Sequence, residues 1–170
     1  MLLQSTPHNA LGDPTLSSSL SVALALVPAA VVIVARRSDI GLRRTIVGGG
    51  AMYGGVLLSV WAGIRVLFWR FAAEFPESIP ILLFVVLAAG TVFFVQWSAA
   101  AVLFLSYQVQ SAVVWLFGVT WMTSYAWFFV GGEAGAIFYL FIWAFSIGPA
   151  TLGALAIVVG GEFVIRRRVL

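Results

Sequence analysis

The sequence predicts an all-α, polytopic integral membrane protein. The expected architecture is a bundle of five transmembrane helices, with the N-terminus outside and the C-terminus cytoplasmic. Three features carry this expectation. First, 62% of the 170 residues are hydrophobic and only 9% are charged. A soluble domain carries about 25% charged residues, so this chain lacks the polar side chains to cover a water-facing globule. Second, residues 78–132 contain no Asp, Glu, Lys, Arg or His. As one helix that stretch would be about 80 Å long, against a hydrocarbon core of about 30 Å. It must therefore fold back on itself as a hairpin. Third, all nine basic residues are Arg. Seven fall in two clusters, Arg36, Arg37, Arg43 and Arg44, then Arg166, Arg167 and Arg168. Short Arg clusters beside apolar spans mark the cytoplasmic side.

The same composition narrows the chemistry. Without Cys there is no disulfide framework, thiolate metal site or Cys nucleophile. His8 is the single His, which removes bis-His haem ligation and His-rich metal sites within a bilayer. Without Lys there is no Schiff base to retinal or pyridoxal. No cofactor is expected, and the chain is not expected to be an enzyme. No basic domain exists to bind nucleic acid. The lipid bilayer is the expected surrounding, in the cell membrane of a bacterium or archaeon or in a viral membrane, as a Lys-free, Ala/Gly/Val/Arg-rich composition suits.

Taken in order, residues 1–16 read as an extracytoplasmic tail. Pro7, Gly12 and Pro14 break helices there, and the absence of basic residues argues against a signal-peptide n-region. Residues 17–165 read as a single transmembrane domain. Span one, about 17–35, opens with the N-cap candidates Ser17, Ser18 and Ser19 and has Pro28 mid-span, where a kink is expected. The loop at 36–44 carries four Arg and one Asp and reads as cytoplasmic. Span two, about 45–69, contains the small-residue pairs Gly50/Gly54 and Ala51/Gly55. Small residues let backbones approach closely, so these four are expected to pack against another helix or another copy. A phosphate-binding loop would need a preceding strand, and none is expected.

Gly50, Gly54, Leu58, Trp61 and Arg65 recur at helical spacing and share one face of span two. Arg65 would lie about 12 Å from the span centre. It is expected to snorkel to the outer interface or to join a structural ion pair, with a ligand or ion role as the sharper alternative. The next loop carries Arg70, Glu74 and Glu77, read with Glu133 as outer ion pairs. Span three, about 79–105, holds Gln96. A buried amide needs a partner across the helix interface, so Gln96 reads as an interhelical link. Residues 106–111 form the hairpin turn. Span four, about 112–130, offers Thr120, Thr123 and Ser124 as small polar packing groups. Span five, about 134–161, is long and meets Gly148 and Pro149 near its middle. A kink is expected there, or a discontinuous helix lining an ion site. Residues 166–170 form a basic cytoplasmic end.

The function expected from these features is that of a non-catalytic membrane subunit or scaffold. It would pack through glycine-rich helix faces in a membrane complex or homo-oligomer. The alternative is a small channel or transporter for a small anionic or neutral solute, using Arg65, Gln96 and a fifth helix broken at Gly148 and Pro149.

Overall fold

The computed structural model describes residues 8–38, 40–68, 79–130 and 136–169. These residues form helices α1 (Pro14–Arg37), α2 (Leu42–Phe68), α3 (Ile79–Tyr107), α4 (Ser111–Trp127), α5 (Ala136–Ile142) and α6 (Gly148–Val169). A π-helical turn, Trp143–Ile147, joins α5 to α6 as one continuous rod. Two short strands, β1 (His8–Asn9) and β2 (Phe129–Val130), pair antiparallel.

The helix ends follow from local chemistry. α1 begins earlier than position 17 because Asp13 caps it: the carboxylate accepts from the Thr15 N–H at 2.7 Å, and Pro14 takes the first helical position. The serines expected as caps lie inside the helix instead. Ser19 and Ser21 donate to the Thr15 and Ser17 carbonyls one turn back, both at 2.8 Å. The Ser17 hydroxyl donates to Asn9 Oδ1 at 2.6 Å, so part of the expected tail is tied to the bundle. α1 then runs through Pro28 to Arg37.

α2 starts at Leu42 and so includes Arg43 and Arg44. α3 reaches Tyr107, and the hairpin turn tightens to the residues around Gln108, which adopts φ 57°. The expected basic tail is also helical, since Arg166, Arg167 and Arg168 occupy the last turn of α6. That helix end clasps the hairpin turn. The Glu162 carboxylate accepts from the backbone N–H groups of Gln110 (3.2 Å) and Ser111 (2.8 Å), at the positive end of the α4 dipole. Arg166 pairs with Glu162 and donates to the Gln108 carbonyl at 2.6 Å.

Among the described residues, four helical stretches are long and apolar enough to cross a membrane: Pro14–Arg37, Leu42–Leu67, Ile79–Tyr107 and Ile137–Arg168. α4 has 17 residues and is about 25 Å long. It ends at Trp127 rather than 130 because the chain then pairs as β2. α1 packs chiefly on α4, and α2 chiefly on α3. The β1–β2 pair sets the start of α1 beside the end of α4. At the other end the Arg36 guanidinium lies over the Phe104 ring, 5.1 Å from its centre. Arg36, Glu162 and Arg166 thus gather at one end of the bundle, and the strand pair sits at the other.

The interior is centred on Phe93, which is fully buried. Its ring stacks on Trp143 (4.1 Å) and meets Tyr53 (6.0 Å) and Trp127 (5.6 Å) edge-on. One side chain therefore ties α3 to α2, α4 and the π turn. The outer surface is strongly apolar: Met52, Phe84, Leu87 and Ile157 are each at least 60% exposed. Soluble monomers rarely show apolar surface on that scale. This is the surface of a membrane protein.

Candidate functional site

α2 contains the densest run of small residues, and a helix turns about 100° per residue. Its small residues consequently separate onto different faces. Gly50 and Gly54 are buried and face α3. A Cβ on Gly50 would lie 2.6 Å from the Phe94 ring, and one on Gly54 would lie 3.6 Å from the Gly90 carbonyl. A Cβ at Gly50 would therefore force the Phe94 ring to shift, whereas Gly54 has room for a methyl group. Trp61 and Arg65 continue this face and are buried too.

Ala51 and Gly55 look the other way. Both are exposed, and a Cβ on Gly55 would meet nothing within 4 Å. Gly48 and Ser59, also exposed, lie on the same side by helical spacing. The result, among the described residues, is an outward strip of small residues along α2.

Gly49 was not singled out in the sequence, yet it makes the closest approach. A Cβ there would fall 2.3 Å from the Trp97 ring, whose Nε1 donates to the Thr45 carbonyl at 2.9 Å. A signal for it exists in the run Gly48, Gly49 and Gly50. Three consecutive residues sweep about 200°, so a glycine triplet serves more than one face.

Arg65 is 1% exposed, with its guanidinium 5.8 Å from the centre of the Tyr139 ring on α5. Its place on the inward face of α2 sends the stem into the bundle, and the Tyr139 ring supplies a cation–π contact there.

Gln96 is fully buried on α3 and reaches α6. Its Nε2 donates to Thr151 Oγ1 at 2.7 Å. That hydroxyl donates to the Gly148 carbonyl at 2.6 Å, and Trp115 Nε1 donates to the Thr151 carbonyl at 3.1 Å. The cluster links α3, α4 and α6. Gln96 Oε1 has no hydrogen-bond partner among the described residues. At Gly148, α6 lies close against α3: a Cβ there would fall 2.7 Å from Val92.

Pro149 is exposed, and the fifth helix is not broken beside it. The Gly148 N–H reaches back to the Trp143 carbonyl, a π-type bond. The π turn absorbs the irregularity next to Pro149, which has no N–H to offer. Nor do the candidate pathway residues converge. Arg65 meets the rod at Tyr139, about 13 Å along its axis from Gly148.

A further polar layer joins α2, α4 and the π turn. Tyr53 and Thr120 share a hydrogen bond of 2.8 Å between their hydroxyls, and Trp143 Nε1 donates to Thr123 Oγ1 at 3.3 Å. Arg70, Glu74, Glu77 and Glu133 lie outside the described residues. Among the described residues, no three His, Cys, Asp or Glu side chains come together as a metal site. Comparison with protein-family models, curated proteins and solved structures finds no match to this chain.

Proposed function

We propose that this chain is a non-catalytic membrane subunit that assembles, with copies of itself or with another membrane protein, through the outer face of α2. The observation behind this reading is the division of the α2 glycines between two faces. Gly50 and Gly54 meet α3, whereas Gly48, Ala51, Gly55 and Ser59 face outward and are exposed among the described residues. In a bilayer, hydrocarbon solvates a large apolar side chain as well as a small one. Small residues gain their advantage where a second backbone comes close. Particle mass in mild detergent tests the reading. The wild-type chain is expected above monomer mass, and Ala51→Leu/Gly55→Leu is expected to fall to a folded monomer. A wild-type monomer, or an assembly indifferent to both substitutions, would sink it.

The threading that accompanies this reading has five crossings, with α4 as the fifth and the Arg-bearing end in the cytoplasm. Two observations support it. α4 runs the full distance between the strand pair and the turn clasped by Glu162. The described Arg residues other than Arg65 belong to the same end of the bundle. The Cys-free chain suits a labelling test. Thr15→Cys is expected to react with an impermeant maleimide on intact cells, and Ser106→Cys only after permeabilisation. The reverse pattern, or labelling of both on intact cells, would contradict the threading.

A further inference from the structure

At the Arg-bearing end a cleft of about 520 Å³ opens between α1 and the hairpin of α3 and α4. Its polar members are Arg36, Arg37 and Gln110, and its apolar wall includes Ile33, Val113 and Val114. Both arginines are exposed, and so is Val114, at 70%. Arg36 is held in place by the Phe104 ring beneath it. The described carboxylate nearest in the fold, Glu162, is engaged by two backbone N–H groups and by Arg166, and so competes little for these arginines.

We infer that this cleft binds an anionic phospholipid of the adjoining leaflet, with its phosphate at Arg36 and Arg37 and an acyl chain along Ile33 and Val114. The cleft joins a cationic rim to an apolar wall that continues into the hydrocarbon-facing surface. A small anion in water would use only the rim, where two exposed charges are strongly screened. A zwitterionic lipid would bring a second cation up to the arginines. An anionic lipid satisfies both rim and wall, and each Arg near a membrane surface favours it severalfold. Arg167 and Arg168 are a built-in control. They are exposed on the last turn of α6 and do not line this cleft.

Native mass spectrometry of the full chain in detergent tests the inference. The probes are phosphatidylglycerol, phosphatidylcholine with the same chains, and glycerol phosphate as a headgroup without chains. Phosphatidylglycerol is expected to be retained roughly tenfold over phosphatidylcholine, with glycerol phosphate not retained. Arg36→Gln/Arg37→Gln is expected to abolish that preference, and Arg167→Gln/Arg168→Gln to preserve it. Val114→Trp, which fills the apolar side and leaves both charges, is expected to lower phosphatidylglycerol retention at least threefold. Near-UV circular dichroism from the seven tryptophans reports folding of each variant. If the double Arg36/Arg37 variant is misfolded, Arg37→Gln and Val114→Trp decide. Equal retention of the two lipids, equal losses from the two Arg pairs, retention of glycerol phosphate, or indifference to Val114→Trp would each overturn the inference.

Discussion

Replacing Phe93 by alanine is expected to destabilise the folded bundle by about 3–5 kcal/mol. The ring is fully buried and touches aromatic rings from α2, α4 and the π turn. Truncation would leave a cavity where several elements meet, and would remove aromatic pairs worth about 0.5–1.5 kcal/mol each beyond their burial. Cavity cost depends on how far the walls can collapse. Here the neighbours Tyr53 and Trp143 are held by their own bonds to Thr120 and Thr123, so collapse is restricted. Phe84 is a matched control on the same helix, because it is 60% exposed. Phe84→Ala loses a single stacked neighbour, Phe145 at 5.8 Å, and is expected to cost about 0.5–1.5 kcal/mol. Reversible unfolding of the purified protein in mixed micelles, followed by tryptophan fluorescence, would separate the two. Similar midpoints for both variants would contradict the placement of Phe93 at the core.

Neighbouring glycines are expected to respond with opposite signs. Gly48→Ala adds a methyl group into open space. It gains helix propensity, so the fold of a single copy, measured apart from any assembly through the outer face of α2, should stay level or gain up to about 1 kcal/mol. Gly49→Ala gains the same propensity but drives its methyl group into the Trp97 ring. That indole is 2% exposed and bonded to the Thr45 carbonyl, so it has no easy way to withdraw. Overpacking of this kind costs about 1–3 kcal/mol, and more where the backbone must shift. The net effect at Gly49 should be a clear loss and a displaced Trp97 emission. Two alanines that both stabilise would show that α2 and α3 do not approach as described.

How much of this was legible beforehand differs from element to element. The inward face of α2 was readable because helical spacing alone places Gly50, Gly54, Leu58, Trp61 and Arg65 together. The α1 start was misread because three serines look like caps. The stronger cap was Asp13, immediately before Pro14. The end of α4 was not legible, since an apolar run such as Phe128, Phe129 and Val130 fits a helix as well as a strand. Only the pairing with His8 and Asn9, far away in sequence, decides it. The partner of Gln96 could not be read either. An amide in a span demands a hydrogen bond, but which helix supplies it depends on how the helices pack. Gly148 and Pro149 marked the right place for an irregularity, and of the two readings open there, a kinked helix or a discontinuous one, the π turn rules against the second by keeping the rod continuous. The burial of Arg65 was open to two readings, since a guanidinium near a span end can turn outward or inward according to the face its Cα occupies.

The central claim is that the outward strip of α2 meets another protein in the membrane. Disulfide trapping in native membranes tests it most directly, as the chain has no Cys of its own to interfere. Single variants Ala51→Cys and Gly55→Cys are compared with Leu87→Cys, whose parent side chain is 70% exposed on α3. Mild oxidation is expected to shift the first two to a cross-linked species, a dimer of this chain where the partner is a second copy, and to leave the Leu87→Cys variant as a monomer. If the Ala51→Cys and Gly55→Cys variants are trapped no more often than the Leu87→Cys variant, and the wild type is monomeric in mild detergent, the claim is contradicted.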